Sequence, residues 1–411
     1  MTWSATLFDT MTGQLAEAID LPSFSWTLSV SDCTLATTRD KGTGEADASG
    51  VRLPWAAVPG RDAAERHEAI AMWRRGLCLM WDGVPVVAGV IGPKDGTASD
   101  VSLSLLSPME VLSHRYAVRE GAFGTGSTVT EEHDGGESRE VTVEGTTTDS
   151  IAYSGSSLRG IVCELGRLAC SKPGGALPID WPYVGEAGSH QRTYDGFNVA
   201  NSDVQKLITD ITNVSGGPDV QLRPCLADER HLRWRLVAGS DSEPYIGDAP
   251  VTPTLTSFPG GGTAQGLSWA ELAPAMRVYA TGSGQDEAML CHLSEDLSLC
   301  QRRDPWPLVE SRASGSSDWD TSELVRAHGD AALAASRLPM VQFQCEADAT
   351  SGPVVPGQVW PGQRVALDLE GSPVWPDGRY HLRLMEMSGD EGNVVKLTFD
   401  QVADPWETGV L

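Results

Sequence analysis

Alternation of apolar and polar positions is the strongest signal along the chain, and its clearest stretch runs from Gly76 to Gly92. Leu77-Cys78-Leu79-Met80-Trp81 is followed by Asp82-Gly83 and then by Val84-Pro85-Val86-Val87-Ala88-Gly89-Val90-Ile91. Asp-Gly between two apolar runs predicts a type I′ hairpin, because that turn needs φ > 0 and glycine supplies it without strain. Val101-Ser102-Leu103-Ser104-Leu105 alternates with period two and adds a third strand, giving a meander. The opening residues, Met1-Thr2-Trp3-Ser4-Ala5-Thr6-Leu7, read as another strand.

The period changes in a few places. Ser107-Pro108-Met109-Glu110 sets a capping serine, a proline at the first helical position and a glutamate three residues past the cap. A short helix from Pro108 to about Tyr116 follows. Asp62 to Trp73 predicts a second helix of weaker periodicity, through Ala63, Ala64, Ile70, Ala71 and Trp73. Leu158, Ile161, Val162, Leu165, Leu168 and Ala169 share one helical face, closed by Lys172-Pro173-Gly174. Another helix spans Ser202 to Val214, with Val204, Leu207, Ile208, Ile211 and Val214 on its apolar side. It ends at Gly216-Gly217-Pro218 and leads into paired strands, Asp219 to Leu226 and His231 to Val237.

Phe258-Pro259-Gly260-Gly261-Gly262-Thr263 reads as a linker, since its glycines cost entropy to order. Met276 to Thr281 predicts a short strand, and Ser317 to Arg337 an alanine-rich helix with Leu324, Ala327, Ala331 and Ala335 in register. The chain then returns to strands at Met340 to Ala347, Arg364 to Leu369, Tyr380 to Met387 and Val394 to Gln401, separated by Pro-Gly and Asp-Gly turns. Gly121 to Ser150, rich in Gly, Thr and Glu, reads as an exposed hairpin or mobile loop.

Composition agrees with a strand-rich chain of several cores. There are 411 residues, more than one hydrophobic core holds, and 44 Gly with 25 Pro imply many tight turns. The net charge of −26 comes without any Lys/Arg run to neutralise a row of phosphates, which argues against sequence-specific nucleic-acid binding. No basic-then-apolar leader and no run of about 18 apolar residues occurs, so the expectation is cytoplasmic synthesis without stable membrane insertion. The eight cysteines form no CxxC pair. Cys163 and Cys170, seven residues apart on one helix, stand about 10 Å apart, beyond disulfide reach. All eight are expected reduced and mostly buried.

Candidate chemistry is sparse. His67-Glu68-Ala69-Ile70-Ala71 opens like a zinc-protease helix but has Ala71 where the second histidine must stand. Glu131-Glu132-His133-Asp134 could ligate a cation but sits in the Gly/Thr-rich stretch and reads as a solvated loop. Cys291-His292 with Cys300 lacks the spacing and the fourth ligand of a zinc site. No G-x-S-x-G elbow exists. The Gly260-Gly261-Gly262 and Gly282-Ser283-Gly284 runs lack the lysine of a phosphate loop and read as turns. Thirteen tryptophans would suit sugar stacking, yet Trp81, Trp234 and Trp269 lie in or beside alternating strands, where core packing accounts for them. The reading therefore names no catalytic, cofactor-binding or metal residue and expects no enzyme.

The ordered segments resemble the tail hub, or tail-tip, proteins of long-tailed bacteriophages of high-GC bacteria, which are related to the baseplate hub of contractile tails. The likeness rests on Trp81-Asp82-Gly83-Val84-Pro85-Val86 running into Ala88-Gly89-Val90-Ile91-Gly92, and on Ser107-Pro108-Met109-Glu110-Val111-Leu112-Ser113-His114-Arg115. Further on it rests on Gly217-Pro218-Asp219-Val220 before Leu232-Arg233-Trp234-Arg235-Leu236, on Val359-Trp360-Pro361-Gly362-Gln363-Arg364-Val365, and on Gly378-Arg379-Tyr380-His381-Leu382-Arg383-Leu384. The resemblance implies a β-rich α+β chain with two tail-tube-like β-barrel domains, residues 1–115 and 273–411. Between them lies a mixed α/β region, 116–272, carrying the exposed loop 121–150.

It also implies a homotrimer at the distal end of a virion tail, where three chains present a pseudo-sixfold ring to a sixfold tube. Its partners would be the distal tail ring protein, the tail tube, the tape measure protein and tip or fibre proteins. Acidity would suit the passage through which DNA leaves, because like charge removes the counterion-release gain that makes DNA stick. The rival readings are a carbohydrate-binding or carbohydrate-active protein using exposed tryptophans, and the ring protein just above the hub.

Overall fold

Asp82 and Gly83 take φ of 51° and 81°, the left-handed pair that a type I′ turn demands. The turn joins Arg75–Trp81 to Val84–Gly96, with Trp81 opposite Val84. In this computed structural model the described residues are 2–30, 32–36, 50–124, 127–133, 137–143, 147–199, 202–214, 216–247, 251–315 and 319–408. They fall into two units, the first Met1–Pro253, Asp348–Arg364 and Leu384–Val395, the second Thr254–Ala347, Val365–Arg383 and Lys396–Leu411. The chain is β-rich with few helices.

In the first unit a six-stranded sheet runs in the order Leu15–Ile19, Trp3–Asp9, Arg75–Trp81, Val84–Gly96, Asp100–Leu106, Val51–Pro54. Every pairing in it is antiparallel. Both faces of its central strands are buried, which is why they read as continuous apolar runs. On one face Trp3 packs against Trp81, Trp26 and Phe24, with ring centroids 4.7, 5.4 and 5.7 Å away. On the other, Phe8, Cys78, Met80 and Ala88 pack with Leu232 and Trp234. Ser25–Ser29 pairs antiparallel with Cys33–Ala36 and with residues 386–390.

The predicted capping box is present: Glu110 N–H donates to Ser107 Oγ at 3.2 Å and Ser107 N–H to Glu110 Oε2 at 2.7 Å. The helix it opens, Pro108–Ser113, ends a turn sooner than the expected Tyr116. Ala63–Ala69 is likewise shorter than its pattern, since the chain turns at Ile70 and Trp73 takes φ 64°. Helices Leu158–Ser171 and Val204–Thr212 share a core with the hairpin Val220–Asp228 and His231–Ala238. Ser127–His133 and Glu137–Val143 form a hairpin in the glycine- and threonine-rich stretch.

A second sheet, most of whose residues lie in the second unit, has the path Gly261–Gly262, Thr254–Phe258, Arg364–Leu369, Gly378–Asp390, Val394–Ala403, Met340–Asp348, Gln265–Leu272, with Ser25–Ser29 and Cys33–Ala36 off that path. The expected linker is part of this sheet: Ser257 pairs with Gly262 and Phe258 with Gly261. Gly262 has φ 117°, and a Cβ there would stand 2.2 Å from the Thr256 carbonyl oxygen, so the tight turn needs its glycine.

A smaller sheet, Cys291–Glu295, Arg277–Thr281, Glu310–Ser314, carries the helix Ser322–Ser336 on one face. That helix buries Val325 and Gly329, one residue out of phase with the expected Leu324, Ala327, Ala331 and Ala335. Gly329 permits the approach, for a Cβ there would meet Ser294 Oγ at 2.9 Å and Ala280 Cβ at 3.0 Å.

Candidate assembly surface

The residues weighed for chemistry lie apart. His67 is exposed on its short helix, and Ala71 beyond it is buried. Cys291 is exposed at the start of its strand, His292 faces Asp330 with Nε2 3.7 Å from Oδ1, and Cys300 sits half-buried in a turn. The side chains of Glu131, Glu132 and His133, and all of Asp134, lie outside the described residues. Among the described residues no three His, Cys, Asp or Glu side chains gather closely enough to hold a metal ion. All eight cysteines are free, and fewer are buried than expected: Cys78, Cys163 and Cys345 are buried, Cys33, Cys170, Cys225 and Cys300 half-buried, and Cys291 exposed.

The tryptophans divide. Trp81 and Trp234 are 1% exposed, as alternation predicts, but Trp269 is 43% exposed. It stands on Gln265–Leu272, the outermost strand of the second unit's sheet, which pairs on one side only among the described residues. Trp269 lies opposite Phe343, Ala270 opposite Gln342 and Glu271 opposite Val341. Every residue of this strand except Leu267 is exposed, so both of its faces and its outer backbone edge are open. Glu271 is its one charged residue.

An aromatic chain leads from this edge into the core. Trp269 meets Trp375 edge-on at 5.3 Å, Trp375 meets Phe343 at 5.8 Å, and Phe343 meets Tyr380 at 5.4 Å. Tyr380 donates its hydroxyl to the Pro376 carbonyl at 2.8 Å, and burial pushes its pKa up to about 12. Trp406, 64% exposed, donates its indole N–H to the Val374 carbonyl at 2.7 Å. The arrangement offers a row of free backbone donors and acceptors beside a rigid apolar wall, the two things strand addition uses. The expectation that core packing accounts for Trp269 is thus corrected, because nothing in the local sequence reports whether a neighbour covers the ring.

No protein-family model matches the chain, and no curated protein matches it. Among solved structures the chain is similar to a tail protein from Neisseria meningitidis MC58, at 12% identity and TM-score 0.46, over 97% of this chain and 96% of that one. It is similar also to the 43 kDa tail protein of prophage MuSo2 from Shewanella oneidensis, at 9% identity and TM-score 0.46, over 97% and 98%. A third is the E. coli c3393 protein, a component of the type VI secretion system described as similar to T4 tail proteins gp27 and gp5, at 10% identity and TM-score 0.43, over 94% and 74%.

Proposed function

We propose that this chain is a structural tail hub subunit, a homotrimer that adapts a sixfold tail tube to a threefold tip and lines part of the DNA exit passage. The observation that carries the reading is a repeated strand order. Numbered along the chain, the first sheet runs second, first, fourth, fifth, sixth, third. With the edge strand Gln265–Leu272 set aside, and with Ser25–Ser29 and Cys33–Ala36 off the main path, the six strands along the path of the second sheet run in the same order. One pairing distinguishes the copies: Trp3–Asp9 meets Arg75–Trp81 antiparallel, whereas Thr254–Phe258 meets Arg364–Leu369 parallel.

Two like modules in one chain are what a trimer needs to present six similar faces. We assign the first module to residues 1–115, and we open the second at Thr254 rather than at residue 273, because the Thr254–Phe258 hairpin shares its sheet. The added strand Gln265–Leu272, free along one edge, supports assembly by sheet extension. The subunit acts as a scaffold, not an enzyme, and meets the distal ring protein, tail tube, tape measure protein and tip or fibre proteins.

Light scattering on the purified protein, followed by imaging of the particles, tests this. A trimer with the two modules alternating around a ring is expected, and a monomer at every accessible concentration overturns the reading. The exposed Trp269 and Trp406 favour a second reading, carbohydrate binding, and that reading requires a monomer whose melting point rises with an oligosaccharide.

A further inference from the structure

We propose that a cleft in the first unit, beside the helix Ala63–Ala69, is a docking site for an acidic peptide segment carrying an apolar side chain next to its carboxylate. The cleft has a volume of about 470 Å³, within the range of small-ligand pockets. Trp55, Ala63, Ile70 and Val101 give it an apolar wall, and Arg66 and Lys94, with the His67 imidazole beside them, bring positive charge to it against a single carboxylate, Asp95. In a chain of net charge −26 that local excess of positive charge runs against the whole.

The helix's own acids are engaged elsewhere. Asp62 caps the helix, Glu65 pairs with Arg61, and Glu68 pairs with Arg74 and Arg75. Arg66 is left with its Nε buried and without a hydrogen-bond partner. A buried N–H without an acceptor is rare, and it marks a place where an acceptor belongs. Lys94 is pinned over the same cleft by one hydrogen bond, Nζ to the Ile70 carbonyl at 2.7 Å, which leaves its other two protons free to donate. Burial lowers the Lys94 pKa, so an anion in the cleft would relieve a desolvated ammonium. Trp55 is held in place by its indole N–H donating to the Thr97 carbonyl at 2.9 Å.

This division selects the ligand. Inorganic phosphate would satisfy Arg66 and Lys94 but leave Trp55 and Ala63 facing water. A neutral apolar side chain would leave the Arg66 Nε unpaired. A carboxylate joined to an aliphatic side chain satisfies both, and an acidic segment of a partner protein supplies that chemistry. The site is independent of the strand order that supports the hub reading.

The test titrates the full chain with the tripeptide acetyl-Ala-Glu-Leu-amide, its neutral counterpart acetyl-Ala-Gln-Leu-amide, inorganic phosphate, and phosphatidylglycerol vesicles, by calorimetry. Saturable binding of the acidic peptide is expected, with the neutral one weaker by about tenfold or more, the loss of one charge-assisted hydrogen bond. Arg66→Gln and Lys94→Gln should each weaken the acidic peptide by about tenfold, and Ala63→Trp, which places an indole over the cleft from an exposed position, should abolish binding. If Arg66→Gln fails to fold, Lys94→Gln and Ala63→Trp carry the comparison. Equal affinity for the two peptides, indifference to the substitutions that fold, or binding confined to phosphate or to vesicles overturns the proposal.

Discussion

Trp269 meets Trp375 edge-on at 5.3 Å with their planes at 88°, yet Trp375 is 3% exposed and Trp269 43%. The two rings of one pair therefore serve different ends. Trp375→Ala removes a buried indole packed against Phe343, and should cost about 3–5 kcal/mol. Trp269→Ala forfeits the pair interaction and a modest area, about 1 kcal/mol. Urea unfolding of the two variants checks the contrast, and equal losses would contradict the exposed position of Trp269.

Assembly should respond the other way round. A lysine on the open strand leaves the isolated fold within about 0.5 kcal/mol of the parent, as exposed substitutions do, but it blocks strand addition, as edge lysines do in natural sheets. Ser268→Lys and Ala270→Lys, two exposed positions that leave Trp269 and its contacts in place, are expected to lower the mass measured by light scattering while leaving the melting point nearly unchanged. Retention of the parent's assembled mass by both variants would rule this edge out as the interface.

Much of the fold was legible because some residues carry a local requirement. Asp82-Gly83 favours a turn with φ > 0, Ser107 with Glu110 could close a capping box within four residues, and Leu232 to Leu236 alternates without interruption. The misses share a cause. An alanine-rich helix offers little contrast between faces, so Ser322–Ser336 was read one residue out of phase, with Leu324 rather than Val325 turned inward. Phe258 to Thr263 looked like a linker because glycine signals both freedom and tight turns. Trp269 alternates like Trp81 and Trp234, and only the sheet order leaves it at an edge. Arg66 and Lys94 meet in one cleft only once the helix after Asp62 lies beside the strand that carries Lys94.

The thiols should separate by burial. Cys291 is exposed, whereas Cys78, Cys163 and Cys345 are buried. Burial pushes Cys163 and Cys345 up to about 12 and raises Cys78 as well, leaving little thiolate, the reactive form, at neutral pH. A thiol reagent under native conditions should label Cys291 first and those three last, with all eight reacting in denaturant without a reductant. Any cysteine that reacts only after reduction would overturn the reading that all eight are free thiols.

Stability should fall in acid partly through one pair. Glu186 accepts hydrogen bonds from Arg159 Nε at 2.7 Å and Nη2 at 2.6 Å, and from the Ser157 hydroxyl. The Arg159 guanidinium, lying 4.2 Å over the Tyr183 ring, holds the Glu186 carboxyl below its ordinary value, with Ser157 adding to the effect. Because the folded pKa is lower than the unfolded value of about 4.3, the folded state binds fewer protons through that window. The pair's contribution is thus complete at neutral pH, begins to fade as pH approaches 4.3, and is gone once pH has dropped through the folded pKa. A bidentate pair this little exposed should contribute about 1 kcal/mol. Glu186→Gln keeps the shape and removes the titration, so its unfolding free energy should lie about that much below the parent's at pH 7 and approach it as pH drops through the folded pKa. Other carboxylates, among them Asp9 and Asp296, are lowered too, and they shift parent and variant alike, so the difference between the two curves isolates Glu186. Curves that stay parallel from pH 7 to pH 3 would show that the pair adds nothing to the fold.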